Sequence, residues 1–282
     1  MKKILTIQDI SCVGQCSLTV ALPIISAMSI ECCILPSAVL STHTGGFKNF
    51  TFRDLTEDLP SIKNHWKNES INFDGIYTGY IGSTKQIKYI KDIIDTFHHD
   101  DQLVVVDPAM ADHGKLYYGF DEEFVTEMKT LCAKADYLIP NITEACFLTD
   151  TPYFETYNEE EIKSLLVKLA ALGAKNIVLT GISFESGYLG ACMYNSVTKE
   201  FKYYANERIP YMFHGTGDIF ASSFFGAVIN GLDMYEACKV AVDYTLLAIK
   251  NTVDDAKEHW YGVHFEKALY YLTEKFKDSV KF

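Results

Sequence analysis

Residues 213 to 231 read FHGTGDIFASSFFGAVING, an apolar helical pattern that opens on His214, Gly215, Thr216, Gly217 and Asp218. Glycines here cost backbone entropy that an ordinary helix start does not require, which marks a place where N–H groups must lie bare. They let the chain curl until the amides of Gly215, Thr216 and Gly217 face one concavity, and the helix that follows adds its positive end. Such a nest suits an anion, above all the charge that spreads over a phosphoryl group in transfer. Asp218 is placed to take the proton of an attacking hydroxyl; its plainer reading is a helix cap after a glycine turn.

A second constellation follows the apolar run ADYLIPN. Asn141 and Glu144 have the spacing of a capping box, and the same amide and carboxylate suit the surroundings of a hydrated Mg²⁺, which needs only one or two protein groups. Asp107 ends LVVVD just before Pro108, so its carboxylate projects beyond the strand either as a turn-starting acid or as a metal- or phosphate-side group. AMADHGKLYYG, after it, reads as a mobile loop that carries Lys115 toward phosphate or simply into solvent.

The elements that position these residues alternate along the chain. KILTIQ, CCILPSAVL, FDGIYTGY, QLVVVDP, ADYLIPN and NIVLTG are apolar strands. Helical patterns lie between them, at about 17–28, 54–67, 84–98, 121–132 and 159–172. Continuously apolar strands joined by helices predict an α/β fold: a Rossmann-like, mostly parallel central sheet, helices on both faces, right-handed crossovers. GYLGACMYN and EFKYYANE alternate around SVTK and predict an antiparallel edge hairpin; the last 65 residues turn helical. No linker or repeat interrupts the pattern, so residues 1–282 are read as a single domain. Ligands of such sheets bind at the carboxyl ends of the strands, where Asp9, Thr44, Tyr80, Asp107, Asn141 and Thr180 gather on one rim.

Bulk composition narrows the partners. A net charge of −12 argues against a broad grip on nucleic acid or an anionic membrane and leaves a small molecule as the expected ligand. The eight cysteines contain no C-x-x-C pair and read as buried free thiols of a reducing cytosol. Ile10 to Ile30 is uncharged, but its glycine, proline and hydroxyl residues fit strand, loop and buried helix better than a membrane span, and the expected location is cytoplasmic.

Taken in order, ILTIQD, LSTHTG, YTGYIGS, VVVDPAM, PNITEA, IVLTG and GTGDIF resemble the pyridoxal kinases of the ribokinase superfamily over nearly the whole chain. The resemblance implies a homodimer that uses ATP and Mg²⁺, with K⁺ as a common activating cation, to phosphorylate the 5′-hydroxymethyl group of a vitamin B6 vitamer. It implies Asp218 as catalytic base and Gly215, Thr216 and Gly217 as the anion hole. By the same likeness Asp107, Asn141 and Glu144 fall on the metal and phosphate side and Thr180 borders the nucleotide. Ser41, His43, Thr44 and Tyr80 match positions around the pyridine ring. Asp9 departs from the family, which usually has serine there; a carboxylate favours a cationic partner, so pyridoxamine is the expected preference, unless Asp9 only caps the following turn. The rival substrate is hydroxymethylpyrimidine, whose kinases share the core. The rival from another class is a B6- or nucleotide-binding regulator without catalysis, against which Asp218 and N-x-x-E stand.

Overall fold

The structure, a computed structural model, describes residues 1–277. Strand β1 (Lys3–Ser11) leads through α1 (Leu18–Ala27) to β2 (Glu31–Leu40), which pairs with it in parallel. β3 (Phe52–Asp54) and α2 (Leu59–Asn68) precede β4 (Gly75–Thr78), which lies on the other side of β1. α3 (Thr84–Phe97), β5 (Leu103–Val106), a small hairpin of β6 (Ala111–Asp112) and β7 (Lys115–Leu116), α4 (Glu122–Cys132) and β8 (Tyr137–Leu138) continue the winding. After α5 (Ile142–Leu148) and α6 (Glu159–Ala170) come β9 (Asn176–Ile182), β10 (Tyr188–Asn195) and β11 (Phe201–Glu207). The chain closes with α7 (Thr216–Ile229), α8 (Met234–Lys250) and α9 (Leu269–Phe276).

Among the described residues nine strands form one sheet in the order β11-β10-β9-β8-β5-β4-β1-β2-β3. The central strands run parallel, and antiparallel strands close both edges: β10 and β11 at one side, β3 at the other. Apolar residues fill both faces, as the continuously hydrophobic strands require. On one face α2 to α6 pack through residues such as Leu59, Ile90, Met128, Leu148 and Leu166. On the other, α1 and α7 to α9 pack through Ile24, Phe224, Phe225, Val240 and Leu272. Helix starts are fixed by side chains: Ser83, Asp121, Asn158 and Asp233 each accept from a first-turn amide.

Three expectations are corrected. In the helix expected at about 54–67 the α-helix begins only at Leu59, after a 3₁₀ turn over Thr56–Asp58; Phe52–Asp54 form β3, and Asp54 Oδ1 accepts from Thr56 N at 2.6 Å to turn the chain. The expected loop around Lys115 is the β6–β7 hairpin, turned by His113 and Gly114, both at positive φ. Its tip is pinned by Gly114 N donating to Thr143 Oγ1 at 3.1 Å. Asp9 lies inside β1 rather than past its end, because the ladder to β2 resumes after an irregularity between Gln8 and Ile10.

Candidate active site

Gly215 turns the chain into α7 with φ of 79°, a conformation that favours glycine. A Cβ there would lie 1.8 Å from the carbonyl oxygen of Gln15, so the loop between β1 and α1 rests directly on this backbone. Among the described residues no side chain caps α7, which leaves its first amides free to face a ligand. α7 therefore opens on backbone N–H groups without a side-chain cap, the local geometry that the anion-hole reading requires.

Asp218 sits in the first turn of α7, within the helix rather than at its cap, and is half-buried. It accepts from the Ser17 backbone N–H, which lowers its pKa, but burial and the nearby Asp9 charge outweigh that and raise it to about 7. Asp107 follows β5, held by Asp107 N donating to Thr78 O at 2.9 Å, and its Oδ1 accepts from Ala109 N at 3.1 Å. Burial, with the Glu144 and Asp218 charges, keeps its pKa well above the usual carboxylate range. Asp107 thus lies within reach of the Glu144 and Asp218 charges, and burial disfavours the ionised form of all three.

Asn141 and Glu144 form a complete capping box on α5. Glu144 N donates to Asn141 Oδ1 at 2.9 Å, and Asn141 N donates to Glu144 Oε2 at 2.9 Å. Their remaining groups tie down the segment after β5: Asn141 Nδ2 donates to Ala111 O at 2.8 Å, and Met110 N donates to Glu144 Oε1 at 3.0 Å. Burial still lifts Glu144 to about 7 against these hydrogen bonds. Thr180, half-buried in β9, donates through Oγ1 to Pro140 O at 3.3 Å, beside the same turn. Lys115 stands exposed on β7 with no ion pair among the described residues.

On the other side of Asp218, Asp9 is buried and its Oδ2 accepts from Ser11 Oγ at 2.9 Å. Burial raises its pKa, opposed by hydrogen bonds from Ser17 and Ser11. Burial and Asp9 together push the Tyr80 hydroxyl up to about 12, and the Tyr80 ring stacks on Phe120 at 5.6 Å. Burial, and then the Asp218 and Asp9 charges, raises the pKa of the Cys16 thiol. Ser41, just past β2, accepts from Thr51 N at 2.8 Å and retains its own hydroxyl proton for a ligand. Thr44 is exposed on the loop beyond.

His43, expected near the pyridine ring, is held by backbone groups. Its Nδ1 accepts from Gly45 N at 3.1 Å and its Nε2 bonds to Tyr261 O at 2.8 Å, so both ring nitrogens are engaged by backbone. Only ring surface is left to meet a ligand. Burial lowers its pKa, consistent with a neutral imidazole that donates from Nε2. The His214 ring lies beside it, tilted by 46° with centroids 5.1 Å apart.

Sequence reasoning passed over the segment around residues 252–266, which straps the β1–α1 loop in place. Gln15 Nε2 donates to Glu266 Oε1 at 2.7 Å, and His259 Nε2 bonds Gln15 Oε1 at 2.7 Å. Trp260 packs on Phe47 at 4.7 Å. Its only signal was a run of histidines and aromatics, EHWYGVHF, that fits neither strand nor helix period. The cysteines also differ from expectation: all are free, but Cys12 is exposed and Cys16, Cys32 and Cys33 are only half-buried, because the first two lie on the loop over the site.

The sequence signature of the phosphomethylpyrimidine kinase family matches residues 25–262. The chain belongs to that family. A candidate phosphomethylpyrimidine kinase from Bacteroides thetaiotaomicron, crystallised with pyridoxal, superposes with a TM-score of 0.91 at 37% identity, covering 96% of this chain and 95% of its own. Pyridoxal kinase from Lactobacillus plantarum gives a TM-score of 0.90 at 30% identity over 99% of each chain. Pyridoxal kinase of Dictyostelium discoideum is 24% identical over 90% of this chain and 88% of its own length. Within the family this chain is a pyridoxal-kinase-like kinase of the ribokinase superfamily, and the parallel sheet with antiparallel edges is the fold of these neighbours. Among the described residues no helix is long and apolar enough to cross a membrane.

Proposed function

We propose that this kinase transfers the γ-phosphoryl group of ATP to the 5′-hydroxymethyl group of a vitamin B6 vitamer, with pyridoxamine preferred. The observation that carries the reading is the meeting of a carboxylate raised to about 7 with uncapped amides at the start of α7. A base of that strength is matched to a neutral working pH, and the amides stand where charge develops in phosphoryl transfer.

Asp218 orients the substrate hydroxyl and takes its proton as the oxygen attacks. The amides following Gly215 bond the oxygens of the group in transfer, and the α7 dipole adds to their field. The donor set fits a hydrated Mg²⁺ rather than a caged one. Asp107 has a carboxylate oxygen beyond the one that meets Ala109, whereas both Glu144 oxygens already accept backbone amides. Among the described residues no three His, Cys, Asp or Glu side chains come close enough to enclose a metal. Asp107 would then hold the ion and Glu144 its waters; when bound, Mg²⁺ neutralises charge on the transferred phosphate.

Asp9 carries the substrate preference. A buried carboxylate beside Tyr80 is costly as an anion alone and favourable once a cationic amine or a protonated ring nitrogen pairs with it. Asp9→Ser should lower the ratio of kcat/KM for pyridoxamine over pyridoxal by about tenfold, the value of one charge-assisted hydrogen bond. An unchanged ratio removes Asp9 from recognition. The family signature itself favours a second reading, phosphorylation of hydroxymethylpyrimidine, by the same residues.

The assignment of the base is tested with Asp218→Asn. Turnover should fall by about 10²–10⁴-fold while the dissociation constants of both substrates change little. A variant that keeps its kcat contradicts the proposal.

A further inference from the structure

Beneath the acids the sheet carries polar side chains in a layer that is otherwise apolar. Thr6, Gln8, Tyr77 and Ser222 are fully buried, on the face lined by Ile4, Val105, Phe224 and Phe225. Strand register brings them together. Thr6 pairs with Tyr77 and Tyr77 with Val105. Side chains two apart on a strand share a face, so Gln8, Gly79 and Asp107 form the next row toward the rim. Gly79 leaves a gap in that row and Gln8 fills it: a Cβ on Gly79 would lie 2.7 Å from Gln8 Oε1. Ser222 comes from the helix side, one turn after Asp218 on α7.

This group is only partly bonded. Gln8 Nε2 donates to Thr6 Oγ1 at 2.8 Å. Among the described residues, however, no protein group bonds to Gln8 Oε1, Tyr77 OH or Ser222 Oγ. Ser223, next along the helix, returns its hydroxyl to Ile219 O at 2.7 Å. Ser222 makes no such bond, although the same helix offers it one. Burial, with the Asp107 and Asp218 charges, raises the pKa of the Tyr77 hydroxyl; Ser222 and Gln8 lie near enough to lower it, yet neither meets it in hydrogen-bond geometry. Three buried oxygens that converge without partners are costly unless something small and polar joins them.

We propose that Tyr77, Ser222 and Gln8 hold one internal water that bonds to the acids above it, and that Tyr77 thereby acts as a positioning residue for Asp218. The bonding closes without a deficit. Tyr77 and Ser222 each donate to the water, the water donates one proton to Gln8 Oε1, and its second proton points to the Asp107–Asp218 pair. Two carboxylates that repel each other then have a fixed donor between them and the floor. The role of Asp218 in this inference rests on the phosphoryl-transfer reading, whereas the water itself does not.

The test has two arms. Kinetically, Tyr77→Phe keeps the ring and removes the hydroxyl; kcat should fall about tenfold, with KM for ATP and for the alcohol changed by less than about twofold and the melting temperature unchanged or raised. Ser222→Ala should behave alike, and Ser223→Ala should leave kcat as it was. A high-resolution crystal structure should show a water bonded to Tyr77 OH and Ser222 Oγ that is lost in Ser222→Ala. Wild-type kinetics in Tyr77→Phe, or a floor without water, overturns the proposal. If the wild-type protein turns over no alcohol at all, the phosphoryl-transfer reading fails instead, and the crystal structure still decides whether the water is there.

Discussion

Replacing Gly217 by alanine separates a glycine needed by the fold from one needed by a ligand. Gly217 lies in the first turn of α7, exposed, without positive φ, and a Cβ there would meet nothing within 4 Å. The folded protein alone therefore gives no reason for glycine. Alanine in a helix is favoured over glycine by about 1 kcal/mol, which for a chain of this size raises the melting temperature by about 2 °C. The same methyl projects into the concavity assigned to the phosphoryl group and holds it off the amides; losing one such donor costs about 10²-fold in kcat. Gly215→Ala is the comparison. Its φ of 79° and the 1.8 Å approach of Gln15 O make alanine strained there, so it should lose about 1–2 kcal/mol of stability from the backbone alone, and activity as well. Calorimetry with initial-rate kinetics reads both quantities on one preparation. A Gly217→Ala protein that is more stable and keeps kcat within about twofold refutes the anion-hole argument.

The pH dependence has opposite signs for rate and for stability. Asp218 acts when ionised, so with a folded pKa of about 7 kcat/KM should fall about tenfold per unit below pH 7 and level off above it. That pKa lies above the unfolded value of 3.8, so ionising Asp218 favours unfolding, and the ligand-free protein should lose stability as pH rises from about 4 to 7. Asp218→Asn should accordingly melt higher than wild type at pH 8 and show little difference at pH 4; the reverse order would contradict the burial argument. Asn141→Ala removes the α5 cap and the bond to Ala111 O, and urea unfolding should report about 1–2 kcal/mol less stability.

Much of this was legible because it is local. The apolar strands and the helical spacing between them define the parallel core, and Asn141 with Glu144 gives its capping box by spacing alone. The β1 boundary misled because the run KILTIQ stops at Gln8, yet the ladder to β2 resumes at Ile10 and Ser11 and keeps Asp9 buried within the strand. β3 is too short, and the hairpin of β6 and β7 too brief, for period-two alternation to register. His43 shows the hardest case. Its partner Tyr261 is 218 residues away, so nothing near it in sequence reveals that its nitrogens are already engaged. The polar floor under Asp107 and Asp218 is hidden for the same reason, since only the register of β1, β4 and β5 sets Gln8 beside Gly79 and Tyr77.

The most direct measurement is ADP release by the purified protein with MgATP, with and without K⁺, against pyridoxamine, pyridoxal, pyridoxine and hydroxymethylpyrimidine, with Asp218→Ala alongside. The account predicts turnover of the B6 vitamers, pyridoxamine foremost, that K⁺ raises and that Asp218→Ala abolishes. Turnover of the pyrimidine alone would contradict the substrate assignment while leaving the mechanism, and turnover that survives Asp218→Ala would contradict the mechanism itself.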